Sequence, residues 1–282
     1  MYKIIVILLF VFLNIEAKEN FKKFTVGYIS SSMSNYSKKD LDISMNIWLK
    51  KIAKTKGYDA KMIFYDDPMD AVKDINENKL DYVSGFPLVF VKYFDLSKLS
   101  DAFSGGPKNI DDNIFVILTH NKKNISSWKD IKKPRIGIQK NDEIMFLYSR
   151  YKTKNKKIYI HKYSNRSRVI LDLFFNKLDI AIVPKKSFML AYELNPQIKQ
   201  KIKILESTGI ISTNLGLYRK SLSKDIKDDI YKAAKELFST VQGQEMLVVF
   251  KADKMIKTKV SDLDSIKEFY EKYKKFKQGI KN

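Results

Sequence analysis

The chain has 282 residues, 44% hydrophobic and 13% aromatic, which excludes a disordered or fibrous protein and suits two domains with a large buried core. Its formal charge of +21 comes mostly from scattered lysine, with arginine only at Arg135, Arg150, Arg166, Arg168 and Arg219. Planar bidentate recognition favours arginine, so nucleic acid is set aside as a partner in favour of a solvated lysine surface; attraction to anionic ligands or an anionic membrane stays open.

Residues 1–17 read as a signal peptide: Lys3 in a short basic start, an apolar run from Ile4 to Leu13, and Ile15-Glu16-Ala17 ending in a small residue. The run falls well short of the roughly 20 apolar residues that span a bilayer, so cleavage after Ala17 is expected rather than anchoring. No later stretch of sequence is long and apolar enough to cross. Cysteine is absent, which removes a disulfide framework, thiolate chemistry and a lipid-bearing cysteine. The inferred compartment is the bacterial periplasm, with a large core in place of disulfides.

In chain order, Phe24 to Ile29 has the β-branched and aromatic makeup of a first strand. A polar loop from Ser30 to Tyr36 leads into a helix over Lys38 to Lys56, where Leu41, Met45, Trp48, Leu49 and Ile52 share a face and Gly57 stops it. A strand follows from Lys61 to Tyr65. Asp66-Asp67-Pro68 then opens a helix with a cap residue before a proline; capping explains these two acids better than acid/base catalysis. After Asn78-Lys79-Leu80-Asp81 come a short strand, Tyr82 to Gly85, and a helix from Leu88 to Tyr93.

Ser104-Gly105-Gly106-Pro107 breaks the pattern, and the strand Ile114 to Thr119 is read as the crossing into a second lobe. There the order repeats: strand Arg135 to Ile138, loop Gln139 to Asp142, helix Glu143 to Tyr151, strand Ile158 to His161, a helix, Asn176-Lys177-Leu178-Asp179, and a strand to Val183. Pro184-Lys185-Lys186 turns into another helix, and Lys201 to Glu206 is a further strand. The strand Asn214 to Arg219 returns, Ser223-Lys224-Asp225 caps a helix, and the last helix runs from Leu263 to Phe276.

The twice-written Asn-Lys-Leu-Asp, each copy between a helix and a strand, predicts two related α/β lobes. Expected boundaries are a signal peptide over 1–17, a first lobe over 18–113, a second over 114–218, and a return to the first over 219–282. Two crossings make a hinge, and a cleft between lobes is where a ligand binds. Parallel pairing places binding loops at the carboxyl ends of strands: Tyr28 with Ser30, Ser31 and Ser32; Tyr65 and Asp66; and Gly85, Phe86 and Pro87. The helix start Asn165, Arg166, Ser167 and Arg168 favours an anion through backbone N–H groups, the helix dipole and guanidinium, or is an ordinary surface helix start.

The runs Leu80 to Val91, Ser127 to Ile138, Lys177 to Val183 and Gly243 to Leu247, in this order and spacing, resemble the type II periplasmic solute-binding proteins, and within them the phosphate/phosphonate-binding (PhnD-like) family. The resemblance covers nearly the whole mature chain. It implies an α/β fold of two lobes, each a mostly parallel sheet flanked by helices, with a two-strand hinge. It also implies capture of a small anion by cleft closure for an ABC permease, with no cofactor or metal and a monomeric chain. Where the family commonly presents a ligand-facing tyrosine this chain has Phe90. Where the family cradles a phosphonate with small hydroxyl residues it has Gln139, Lys140, Asn141 and Asp142. Acidic residues that would receive a ligand ammonium are replaced by Pro184, Lys185 and Lys186, which argues against 2-aminoethylphosphonate-type ligands.

Catalytic signatures are missing. His120 and His161 stand far apart at predicted strand ends, and there is no Gly-x-Ser-x-Gly, His-Glu-x-x-His or phosphate-cradling Gly-x-x-x-x-Gly-Lys. An enzyme is therefore not expected. The alternative is a periplasmic sensing module that signals to a membrane histidine kinase or similar receptor, since both roles use the same closure.

Overall fold

A computed structural model describes residues 21–29, 38–154, 156–249 and 252–279. The expected signal peptide and the loop residues Ser30, Ser31 and Ser32 lie outside the described residues.

The elements run β1 (Lys22–Ile29), α1 (Lys38–Thr55), β2 (Tyr58–Tyr65), α2 (Pro68–Asn76), β3 (Tyr82–Gly85), α3 (Pro87–Tyr93), β4 (Leu99–Ser100) and β5 (Ala102–Gly106). Then come β6 (Ile114–His120), β7 (Arg135–Gln139), α4 (Glu143–Lys152), β8 (Tyr159–Tyr163), α5 (Arg166–Phe174), β9 (Ile180–Pro184), α6 (Lys185–Leu194), α7 (Gln197–Lys201) and β10 (Ile202–Ile211). The chain closes with β11 (Leu215–Arg219), α8 (Lys224–Phe238), α9 (Val241–Val249), β12 (Lys254–Thr258) and α10 (Asp264–Gly279).

Two five-stranded sheets form, in the orders β2-β1-β3-β11-β4 and β8-β7-β9-β6-β10. In the first, β1 pairs in parallel with β2 and β3, and β11 runs antiparallel beside β3. In the second, β7 pairs in parallel with β8 and β9, and β6 runs antiparallel beside β9. The central strands β3 and β9 are buried along their whole length, as strands covered on both faces are, whereas the parallel edge strands β2 and β8 keep exposed residues. A two-stranded ribbon of β5 and β12 stands beside the first sheet.

The duplication extends to single hydrogen bonds. Asn78 and Asn176 both turn the chain through positive φ, 56° and 60°, a conformation that asparagine tolerates better than most side chains. The Asp81 N–H donates to the Thr25 carbonyl of β1, and the Asp179 N–H to the Arg135 carbonyl of β7. Upstream, Tyr65 donates its hydroxyl to Asp74 at 2.6 Å, and Tyr163 does the same to Asp172 at 3.0 Å. Leu80 and Leu178 are buried against glycines of the neighbouring strands; a Cβ at Gly27 would lie 2.8 Å from Leu80 Cδ2, and one at Gly137 2.4 Å from Leu178 Cδ1. Either leucine cut to alanine costs about 3 kcal/mol through the cavity left behind.

The crossings fall between β5 and β6 and between β10 and β11. β11 hydrogen-bonds to β3 from Leu215 onwards, so the return precedes the expected boundary after 218: the antiparallel register Leu215 to Gly85 and Tyr218 to Tyr82 draws this strand into the first sheet. The C-terminal segment is also not confined to the first lobe. α10 packs on α3 of the first lobe and on α4 and β10 of the second. Phe269 carries the second contact, with its ring 5.2 Å from Tyr148 and 5.7 Å from Tyr151.

Candidate functional site

A cavity of about 550 Å³ opens between the two sheets. Phe86 reaches it from the end of β3, Gln139 and Asn141 from the end of β7, Arg166 from the start of α5, and Pro184 from the end of β9. The crossings supply Asn113 on one side and Ser212, Thr213 and Asn214 on the other. The cavity therefore lies at strand carboxyl ends, where parallel α/β sheets receive ligands.

Three helices begin at this cavity. Phe86 precedes α3, Asp142 precedes α4 and Pro184 precedes α6; all three line the space, and no side chain caps any of these ends. By contrast α2, α5 and α8 are capped by Asp67, Asn165 and Ser223. An uncapped N-terminus leaves N–H donors and the positive end of the helix dipole turned towards the cavity. Lys185 and Lys186 occupy the first turn of α6 and Arg166 and Arg168 that of α5, without an acid in either turn. Cations there oppose the dipole, and each is met by an acid from outside that turn: Arg166 by Asp142, Arg168 by Asp172, Lys185 by Asp112 and Lys186 by Asp253.

The ionic groups are distributed unevenly. Arg166 Nη2 donates to Asp142 Oδ1 at 3.5 Å, a long contact, and burial pushes the Asp142 carboxyl above its ordinary value despite that guanidinium. Across the cleft Lys186 meets Asp253 at 2.5 Å, and on its rim Lys92 of α3 meets Glu143 of α4 at 3.1 Å, so two ion pairs join the lobes. Among the described residues six buried side-chain atoms have no hydrogen-bond partner, and five line this cavity: Asn113 Nδ2, Gln139 Oε1, Asp142 Oδ2, Arg166 Nε and Asn214 Oδ1. Buried polar atoms are nearly always satisfied, so these five atoms call for partners from outside the chain, water or ligand.

Of the residues expected from sequence, the structure brings Phe86, Gln139, Asn141 and Arg166 together at the cavity. Tyr28 is buried behind it, where its hydroxyl accepts from Asn214 Nδ2. Others lie elsewhere for plain reasons. Tyr65 is buried with its hydroxyl on Asp74, the counterpart of Tyr163, and Asp66 is exposed at the end of β2. Gly85 packs on Ile29, and Pro87 is buried as the first residue of α3. Phe90 is fully buried with its ring 5.3 Å from that of Phe94, so it is a core residue. Lys140, Ser167 and Arg168 are exposed, Arg168 pairing with Asp172 at 3.1 Å. Asn165 caps α5, and Lys185 pairs with Asp112 at 3.4 Å. Neither histidine lines the cavity: His120 is buried in β6, accepting at Nδ1 from the Lys122 N–H, and His161 is exposed on β8.

Residues missed include Asn113, Ser212, Thr213 and Asn214, together with Ser187 and Asp253; Asp142 and Lys186, read from the sequence only as departures from the family, line the cavity as well. The signal for the first four is the crossings themselves, since a segment that passes between lobes borders whatever space lies between them. Among the described residues no acid or histidine cluster could hold a metal, and no helix is long and apolar enough to cross a membrane.

Two like lobes about a polar cavity bordered by both chain crossings define a two-lobed solute-binding protein. The family profile that matches, over residues 31–263, is that of the periplasmic substrate-binding protein of phosphonate ABC transporters, and the chain belongs to this family. It is a family of binding proteins rather than enzymes, periplasmic, serving an ABC transporter.

Solved structures share the fold. A binding-protein component of an ABC phosphonate transporter from Pseudomonas aeruginosa superposes with a TM-score of 0.53 at 13% identity, over 91% of this chain and 88% of that one. XAC2383 from Xanthomonas citri, bound to ATP, gives 0.59 at 10% identity over 91% and 98%. PhnD1 from Prochlorococcus marinus, in complex with methylphosphonate, gives 0.55 at 16% identity over 90% and 99%. No curated protein matches the chain.

Proposed function

We propose that this chain captures a small phosphate- or phosphonate-like oxyanion by closing its lobes over it, and presents the closed form to an ABC permease. The observation that carries this reading is the cluster of five unpartnered polar atoms at a cavity where uncapped helices begin. Arg166 Nε and Asn113 Nδ2 are donors for the oxyanion, and hydrogen bonds of the first kind are worth about 1.5 to 3 kcal/mol each. Asp142 Oδ2 is an acceptor, which suits a ligand oxygen that still carries a proton. A monoprotonated phosphonate offers both kinds of group at one centre.

The positions of the groups support closure. Donors on α4 and α5 belong to the second lobe, Phe86 to the first, and Asn113 and Asn214 to the crossings, so all reach one ligand only when the lobes are together. A ligand that binds that arrangement alone shifts the equilibrium towards it. The secretory leader over 1–17 and a monomeric state complete the reading.

A thermal-shift screen of phosphate, phosphite, phosphonates, sulfonates and carboxylates tests it, because a ligand of the folded state raises Tm. Phosphonates or phosphate are expected to give the largest rise. Silence from every anion, with a response to a cation or a neutral compound, overturns the assignment of ligand class.

A further inference from the structure

The carboxyl ends of β7 and β9 face the interlobe cavity, so the opposite end of the second sheet is the part of that lobe most remote from it. β8, β7, β9 and β10 start at this remote end and β6 finishes there, with Tyr159 beside Arg135, Ile180 beside Ile136 and Thr119, and Ile202 beside His120. Each strand carries a lysine close to that end: Lys157, Lys133, Lys177, Lys122 and Lys201, in the order β8-β7-β9-β6-β10. All five are exposed, and among them only Lys177 reaches an acid, Asp172, at a long 4.0 Å. Between Glu143 and Asp172 the sequence holds no other acid that could answer them.

The matching end of the first lobe is neutralised. There Lys56, before β2, pairs with Glu236 at 2.5 Å, and Lys79, before β3, pairs with Glu77 at 2.6 Å. Glu77 and Phe175 hold the same place in the duplicated turn, closing α2 and α5 one residue ahead of Asn78 and Asn176. Where the first copy sets an acid against its lysine, the second presents a phenylalanine that is 63% exposed. Lys201 lies over the ring of the adjacent Phe174, 4.4 Å from its centroid. Leu194, 79% exposed, ends α6 where the chain turns through α7 towards the start of β10, and the exposed Tyr159 opens β8. A single exposed apolar side chain is ordinary; three on separate elements, set among unpaired lysines at one end of a sheet, form a patch of mixed character.

We propose that this end of the second lobe rests on an anionic phospholipid bilayer, its lysines on the headgroups and Phe175 and Leu194 in the interfacial layer. Lysine stems lie along apolar surface while their ammonium groups reach for phosphate, and rings and leucines beside them gain by leaving water. The family is periplasmic, and an extended anionic surface in that compartment is a membrane. A nucleic-acid backbone would answer the lysines but offer nothing to Leu194. Because the patch lies at the far end from the cavity, the chain can rest on the bilayer with its cleft free. Such attachment is electrostatic and reversible, and it holds a chain without a cysteine for lipidation near a membrane transporter.

The test is co-sedimentation of the exported chain, isolated from the periplasmic fraction, with vesicles of phosphatidylcholine, alone or mixed with phosphatidylglycerol. The chain is expected to sediment with the mixed vesicles only, and to be released by high salt. A lysine near such a surface contributes about fivefold to binding, so Lys133→Gln with Lys157→Gln is expected to weaken it about tenfold or more. Lys232→Gln with Lys235→Gln removes as many cations from the exposed side of α8 in the first lobe and is expected to change it less than about twofold. Phe175→Glu, which writes the first-lobe residue into the second turn, is expected to weaken binding as the lysine pair at the remote end does. All the substituted side chains are exposed, and an unchanged Tm confirms that each variant is folded. Equal losses from the two lysine pairs would report the overall charge of the chain and overturn the proposal. Binding that survives both the Lys133 and Lys157 change and Phe175→Glu also overturns it. Failure to sediment with the anionic vesicles overturns the lipid assignment and leaves an acidic protein surface as the partner of this end.

Discussion

Asp81 and Asp179 occupy the same post in the two lobes: each carboxylate accepts the N–H of the residue that receives its own backbone, Thr25 at 2.9 Å and Arg135 at 2.7 Å. Each is also held by a guanidinium, that of Arg219 at 2.8 Å and that of Arg135 at 3.2 Å, and each arginine touches the asparagine of its own motif as well. The aspartate therefore locks the strand after the turn to β1 in the first lobe and to β7 in the second, and in the first lobe it also ties in β11.

Removing either lock is expected to destabilise the protein. Asp179→Asn keeps the shape but leaves Arg135 and Lys123 without their counter-charge, at a cost of about 2 kcal/mol or more. Burial alone would raise the Asp179 carboxyl, but Arg135 and Lys123 outweigh it and bring it down to about 2. A depressed folded value contributes stability that is present above the unfolded value of about 3.9 and lost as pH falls through about 2. Urea unfolding from neutral to acid pH is expected to show this loss in the native chain and a shallower one in Asp179→Asn. Parallel curves would mean that the pair contributes nothing.

Asp142 behaves in the opposite sense. Its folded value is raised by burial, so its contribution is fullest below about 3.9 and falls away as pH rises through the folded value. Asp142→Asn is expected to melt higher than the native chain at neutral pH, with the gain shrinking towards acid pH. The same change should narrow the preference for methylphosphonate over methanesulfonate. A sulfonate at neutral pH has no proton to offer the buried carboxylate, whereas the new amide can donate to it. Titration with both compounds checks this; an unchanged ratio contradicts the role given to Oδ2.

The Lys186–Asp253 pair joins the lobes, but both side chains remain substantially exposed, 46% and 41%. Screening limits such a pair to about 1 kcal/mol, so Lys186→Ala is expected to weaken ligand binding by about fivefold at most, through faster release. The effect should fade in high salt. Stopped-flow dissociation rates at two ionic strengths would show it.

Much of the fold was legible because the chain states it twice. The motifs at 78–81 and 176–179 and the alternation of strand and helix around them give the parallel core of both sheets. The ribbon was not legible: β5 ends in two glycines and reads as a break, and its partner β12 lies far along the chain, so pairing rather than local preference makes it a strand. At the site, loops after β3 and β7 and the start of α5 could be placed by topology, which located Phe86, Gln139, Asn141 and Arg166. The direction of an aromatic ring could not. Tyr65 and Phe90 point into the core, although the correspondence of Tyr65 and Asp74 with Tyr163 and Asp172 carried a hint of it. Asn113 and Asn214 reach the cavity only because the lobes meet there, a long-range relation without a local pattern.

The most direct test is a calorimetric titration of methylphosphonate into the native chain and into Arg166→Ala. The account predicts one site per chain, with affinity reduced by about 1.5 to 3 kcal/mol, roughly ten- to a hundredfold, when the guanidinium is removed. Binding of the same strength in both proteins would place the oxyanion away from the cavity between the lobes and contradict the account.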